Sequence, residues 1–237
     1  MNTYTISLPM RTISVLVQDK PQTAIEAEAF VLYTELHNEL LRLKAHWQQC
    51  LDKLQEHKGY LQKCQDAYNA VEAEAKRYGT IGGYDREYLD LKDGEEFTLE
   101  LSDLQRLVKS LGDCVDEYNE SNIMLRKMFD KGMQLEEAFD ESFHYFDKNF
   151  FDPIWSDYEN VQVDTVSLDR DFDNFRGCCG DTDDIFQKFQ NDWEALDPEA
   201  DALDDNIRAT NPHLTIICQG YEAANPVHVN PLRAVLN

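Results

Sequence analysis

Residues Ala29–Tyr78 read AFVLYTELHNELLRLKAHWQQCLDKLQEHKGYLQKCQDAYNAVEAEAKRY. Stepping through them alternately by four and three lands on Ala29, Tyr33, Leu36, Leu40, Leu43, Trp47, Cys50, Leu54, His57, Leu61, Cys64, Tyr68, Val71, Ala75 and Tyr78. Of these only His57 is polar. A four-three repeat sustained over about seven heptads predicts a long helix with one narrow apolar seam. At 1.5 Å per residue it would run about 75 Å. Such a helix needs partner helices along its length, because its apolar seam would otherwise stay exposed to water.

Two further segments carry the same step. The second passes through Leu104, Val108, Leu111, Val115, Tyr118, Asn122, Leu125, Phe129, Gly132, Glu136, Phe139, Phe143, Phe146 and Phe150. The third runs from Ile154 through Phe175, Cys179, Thr182, Phe186, Phe189, Trp193 and Leu196 to Ile207. Gly177-Cys-Cys-Gly180 and Asp197–Pro198 interrupt it, and both read as breaks or kinks. Asp152–Pro153 has the form of a helix start, so the turn into the third segment should be abrupt. The expected fold is mainly α: a long antiparallel up-down-up three-helix coiled-coil bundle.

Strands are expected at three places. Tyr4, Ile6 and Leu8, then Ile13, Val15 and Val17, alternate around Pro9 and suggest short strands at the N-terminus. Phe97, Leu99 and Leu101 alternate around 95–101, and Leu214–Cys218 in the C-terminal tail is β-branched and apolar. The resulting division is an N-terminal β segment at 1–20, a first helix at 21–79 and a loop plus short strand at 80–101. A second helix follows at 102–152, a broken third helix at 153–210 and a strand or tail at 211–237, all within one elongated domain.

A register follows from this plan. If Tyr78 faces Leu101, His57 faces Asn122; if Phe150 faces Ile154, Asn122 faces Thr182. These polar seam residues would form one buried layer that fixes register, as a seam Asn does in coiled coils. The topology also separates the N-terminal strand from the other two, so Tyr4, Ile6, Leu8, Ile13, Val15 and Val17 become candidate interaction residues. Phe151 and Trp155 fall off the seam at an aromatic corner and join them.

The net charge is −24, and 153–210 alone carries −12. An acidic chain lacks the basic footprint that nucleic acid or anionic lipid requires. No run of apolar residues is long enough to span a membrane, and the N-terminus lacks the basic start of a signal peptide. Six cysteines without a CxxC spacing read as reduced residues in a cytoplasmic protein.

Motifs for chemistry are weak. Asp169-Arg-Asp-Phe-Asp173 opens like a calcium loop, but Asn174 and Gly180 stand where such a loop needs Gly and Glu. His46 and Cys50 are four apart on one helix face, a spacing that suits a metal, but Cys50 lies on the seam while His46 flanks it. No catalytic, cofactor or metal site is expected. The functional expectation is a non-enzymatic coiled-coil scaffold or adaptor with protein partners, in a homo- or hetero-oligomer. The alternative is an acidic inhibitor that covers a basic surface on a nucleic-acid-binding protein or a toxin.

Overall fold

The computed structural model describes the backbone of residues 2–7, 12–17, 24–77, 94–151 and 165–224, and the side chains of 31–77, 102–149 and 174–219. The protein is mainly α-helical. The helices are α1 (Ala24–Lys76), α2 (Gly94–Phe146), α3 (Thr165–Glu194) and α4 (Asp197–Ala224), with a π-helical turn at Asp147–Phe151. Strands β1 (Asn2–Ser7) and β2 (Thr12–Val17) pair antiparallel, with Tyr4 opposite Val15 and Ile6 opposite Ile13.

Contacts divide the chain into two compact units. Unit 1 comprises Met1–Asp52 and Arg126–Gln190; unit 2 comprises Lys53–Leu125 and Asn191–Asn237. In unit 1 the α1 seam residues Leu36, Leu40, Leu43, Trp47 and Cys50 are buried. Val31, Leu32, Leu36 and Leu40 form a core with Phe139, Phe146 and Phe175, against which Cys178 and Cys179 pack. In unit 2 the seam continues through Leu54, His57, Leu61, Cys64, Tyr68, Val71 and Ala75, all buried.

The centre of unit 1 is Trp47. Its ring lies 4.6 Å from Phe186, 5.8 Å from Phe189 and 6.0 Å from Phe129, centroid to centroid. It also fills the notch above Gly132, where an added Cβ would lie 2.7 Å from the indole Cζ2 and nearer still to Cη2. Gly132, an apparent gap in the seam, is therefore the place where α2 makes room for the largest side chain of α1.

Several expectations change. The segment 95–101 is helical, because α2 begins at Gly94. Phe97, Leu101, Leu104 and Val108 continue the four-three step, and that period prevails over the two-residue alternation. Leu214–Cys218 is helical too, within α4. There Thr210, Leu214 and Ile217 extend the seam from Leu203 and Ile207, and Thr210, Leu214, Ile217 and Cys218 are buried. Pro212 lies inside this helix at a cost of about 3 kcal/mol. Burial of three apolar side chains, at roughly 1.5–3 kcal/mol each, offsets it. Val227-His-Val229, whose alternation in the sequence suggests one more short strand, lies outside the described residues.

Helix α3 runs unbroken through Gly177–Gly180, where the two cysteines pack as small apolar residues; the break comes at Ala195–Leu196. The register of the third segment also shifts. An abrupt corner would set Phe129 opposite Phe175, but Phe175 packs with Phe139 and Phe143, about three turns further along α2. Thirteen residues separate Phe151 from the start of α3 at Thr165, more chain than a sharp corner uses.

Gly132→Ala should lower stability in urea unfolding by about 1–3 kcal/mol through overpacking against Trp47. Gly59→Ala, exposed in α1 with open space around it, should instead raise stability by about 0.5–1 kcal/mol. Two substitutions of the same chemistry should thus act with opposite sign.

Candidate functional site

The residues of the expected polar layer are assigned to two units. His57 and Asn122 belong to unit 2 and Thr182 to unit 1. His57 is 1% exposed and stacks on Tyr118, one turn of α2 before Asn122, with ring centroids 4.4 Å apart. Its Nδ1 is buried without a hydrogen-bond partner among the described residues. Burial, with a smaller contribution from Lys53, lowers its pKa and keeps the ring neutral. Asn122 is half-buried. Thr182 donates its hydroxyl proton to the Cys178 carbonyl at 2.7 Å, within its own helix. Thr182 thus satisfies its hydroxyl within its own helix, while His57 meets Tyr118 by stacking and leaves Nδ1 unpaired among the described residues.

A cross-helix polar contact does exist in unit 1, at a residue the seam step passes by. The His46 Nε2–H donates to the Met128 carbonyl at 2.8 Å, and the ring meets Trp47 edge-on. This nitrogen is then not free to bind metal, and Cys50 is buried on the seam. Among the described residues no group of three or more His, Cys, Asp or Glu side chains could hold a metal ion. The backbone through Asp169–Asp173 is helical. Burial pushes the thiols of Cys50, Cys64 and Cys179 up to about 11, so they stay protonated and are poor nucleophiles at neutral pH.

Two acidic regions stand out. In unit 1, Glu136 takes a seam position, and its Oε2 is buried with no hydrogen-bond partner among the described residues. Burial, then Asp140 and Asp183, raises its pKa; burial and Asp183 do the same to Asp140. In unit 2, Glu194 at the end of α3 and Asp197, Glu199, Asp201, Asp204 and Asp205 along the start of α4 are all exposed. Arg208 pairs with Asp204 at 2.6 Å. On α2 of the same unit, Ile123 and Met124 are 55% and 50% exposed. Their signal in the sequence is plain: two large apolar residues off the seam, beside Glu117 and Glu120.

Of the other candidate interaction residues, Tyr4, Ile6, Ile13, Val15 and Val17 sit on the hairpin, and Phe151 ends the π-helical turn. Leu8 and Trp155 lie outside the described residues. No protein-family model, curated protein or solved structure matches this chain. Among the described residues, no helix is long and apolar enough to cross a membrane.

The raised carboxyl of Glu136 takes its proton at a higher pH folded than unfolded. Stability is therefore gained as pH falls from neutral through the folded value, and lost as pH rises again. Glu136→Gln should stabilise the protein at pH 7, by less than about 1 kcal/mol given its partial exposure. The difference from wild type should vanish by about pH 4, where the native Glu is neutral as well. Urea unfolding across that range measures both.

Proposed function

We propose that this chain is a non-enzymatic scaffold or adaptor, built as an up-down-up three-helix coiled coil, that works by binding other proteins. The observation that carries the reading is the surface of unit 2. Six exposed acids run from the end of α3 along the start of α4, and the exposed pair Ile123–Met124 lies on α2. Protein interfaces combine an apolar centre with a charged rim, and an acidic rim steers a basic partner. The sequence of contacts along the helices of unit 1 supports the coiled-coil architecture. In unit 1, Tyr33 meets Phe146 while Trp47 meets Phe129, and Phe175 and Phe186 meet the same two residues of α1 in order.

The six cysteines are free thiols, which suits a reducing cytoplasm. The two-stranded hairpin offers strand edges through which copies of the chain, or a different protein, could associate into an oligomer. The net charge of −24 argues against nucleic acid or a lipid surface as the direct partner.

The acidic row also supports a second reading, an inhibitor that covers a basic surface on a nucleic-acid-binding protein or a toxin. Salt separates the two. A scaffold whose contacts include Ile123 and Met124 should keep its partner when salt rises from about 0.05 to 0.3 M, and Ile123→Asp with Met124→Asp should release it. An acidic mimic should lose its partner steeply over that range, as screening shortens the reach of each charge to several ångströms. Co-purification at both salt concentrations, followed by mass spectrometry, measures the outcome. A chain that retains no protein at either concentration contradicts both readings.

A further inference from the structure

Unit 2 contains a cavity of about 410 Å³, within the size range of small-molecule sites. Its walls are apolar where α1, α2 and α4 meet: Val71, Val108, Val115, Ile207 and Leu214. The space exists partly because Gly112 of α2 lines it without a side chain, and a Cβ added there would touch nothing within 4 Å.

The polar part of the wall has a definite character. Thr210 donates its single hydroxyl proton to the Asn206 carbonyl at 2.9 Å. The 3.1 Å contact between Tyr68 and Thr210 must then be donated by the Tyr68 phenol. Thr215 likewise donates to the Asn211 carbonyl at 3.0 Å. All three hydroxyl protons on this wall are engaged, and what they leave facing a guest is oxygen lone pairs. Asp116 adds a carboxylate at the rim. The Asn211 amide is the one lining side chain of this polar group that can still donate as well as accept.

We propose that this cavity binds a small aliphatic ammonium: an apolar body against the valines and Leu214, and a cationic head that donates to Tyr68 and Asp116. Charge complementarity favours this guest, since a carboxylate would find only the Asn211 amide as a side-chain donor against the lone pairs and Asp116, and the chain as a whole carries −24. The body supplies most of the affinity, as each buried methylene contributes about 0.8 kcal/mol, or roughly fourfold in binding.

The test is titration of the full-length ¹⁵N-labelled protein with n-hexylammonium, n-hexanol, hexanoate and methylammonium. Hexylammonium should shift the amides of Gly112, Thr210 and Thr215 saturably. Hexanol should bind roughly two- to fivefold more weakly, the worth of one exposed ion pair. Hexanoate and methylammonium should not saturate. Gly112→Leu, which fills the cavity from an unobstructed position, should abolish binding with helicity retained by circular dichroism. Asp116→Asn, a surface change that leaves the packing alone, should bring hexylammonium down to the level of hexanol. Equal binding of hexanoate would overturn the proposal. So would hexylammonium binding that Asp116→Asn and a folded Gly112→Leu both leave unchanged, or shifts from methylammonium equal to those from hexylammonium.

Discussion

Trp47 seated over Gly132 is the constraint on which the packing of unit 1 depends. The indole is the largest fully buried side chain of the described residues, and it touches residues of both α2 and α3. Only an α2 position without a Cβ can face it, so the ring selects one register out of those that a monotonous apolar seam would tolerate. His46 reinforces the choice from the adjacent position by reaching the Met128 carbonyl, one turn before Gly132. Steric fit and one directed hydrogen bond together do what a row of leucines cannot. They make neighbouring registers unequal.

Buried polar groups contribute less to that choice than seam position alone suggests. Ser142, Thr182 and Thr210 each donate to a carbonyl four residues earlier in their own helix. A hydroxyl satisfied in this way is neutral toward the identity of the facing helix. The Tyr68–Thr210 contact is the exception, since it links α1 to α4 inside unit 2. Charge behaves differently again. Among the described residues most acids lie outside, and Glu136, at a seam position, weakens the fold at neutral pH.

How far the sequence could be read depended on which period a segment carried. The α1 seam from Leu36 to Ala75 was legible residue by residue, because eleven of its twelve positions are apolar and no proline intervenes. The segments 95–101 and 214–218 misled for a shared reason. Each holds residues at both two-residue and four-three spacing, and a short window cannot choose between them. Pro212 strengthened the wrong choice, since a proline ordinarily ends a helix. The third-segment register was out of reach, because it depends on the length of chain actually used between α2 and α3. Gly132 and His46 were in view but lacked meaning until Trp47 was placed beside them. The cavity in unit 2 was invisible for the same reason: Gly112 and Thr210 lie far apart in the chain and acquire a common purpose only through packing.

The most direct test of this account is the set of nuclear Overhauser contacts made by the Trp47 indole. The packing described here predicts cross-peaks from the ring to the Gly132 α-protons and to the rings of Phe129, Phe186 and Phe189. An indole that shows no cross-peak to Gly132 or Phe129, or exchanges its N–H with water as an exposed ring does, would contradict it.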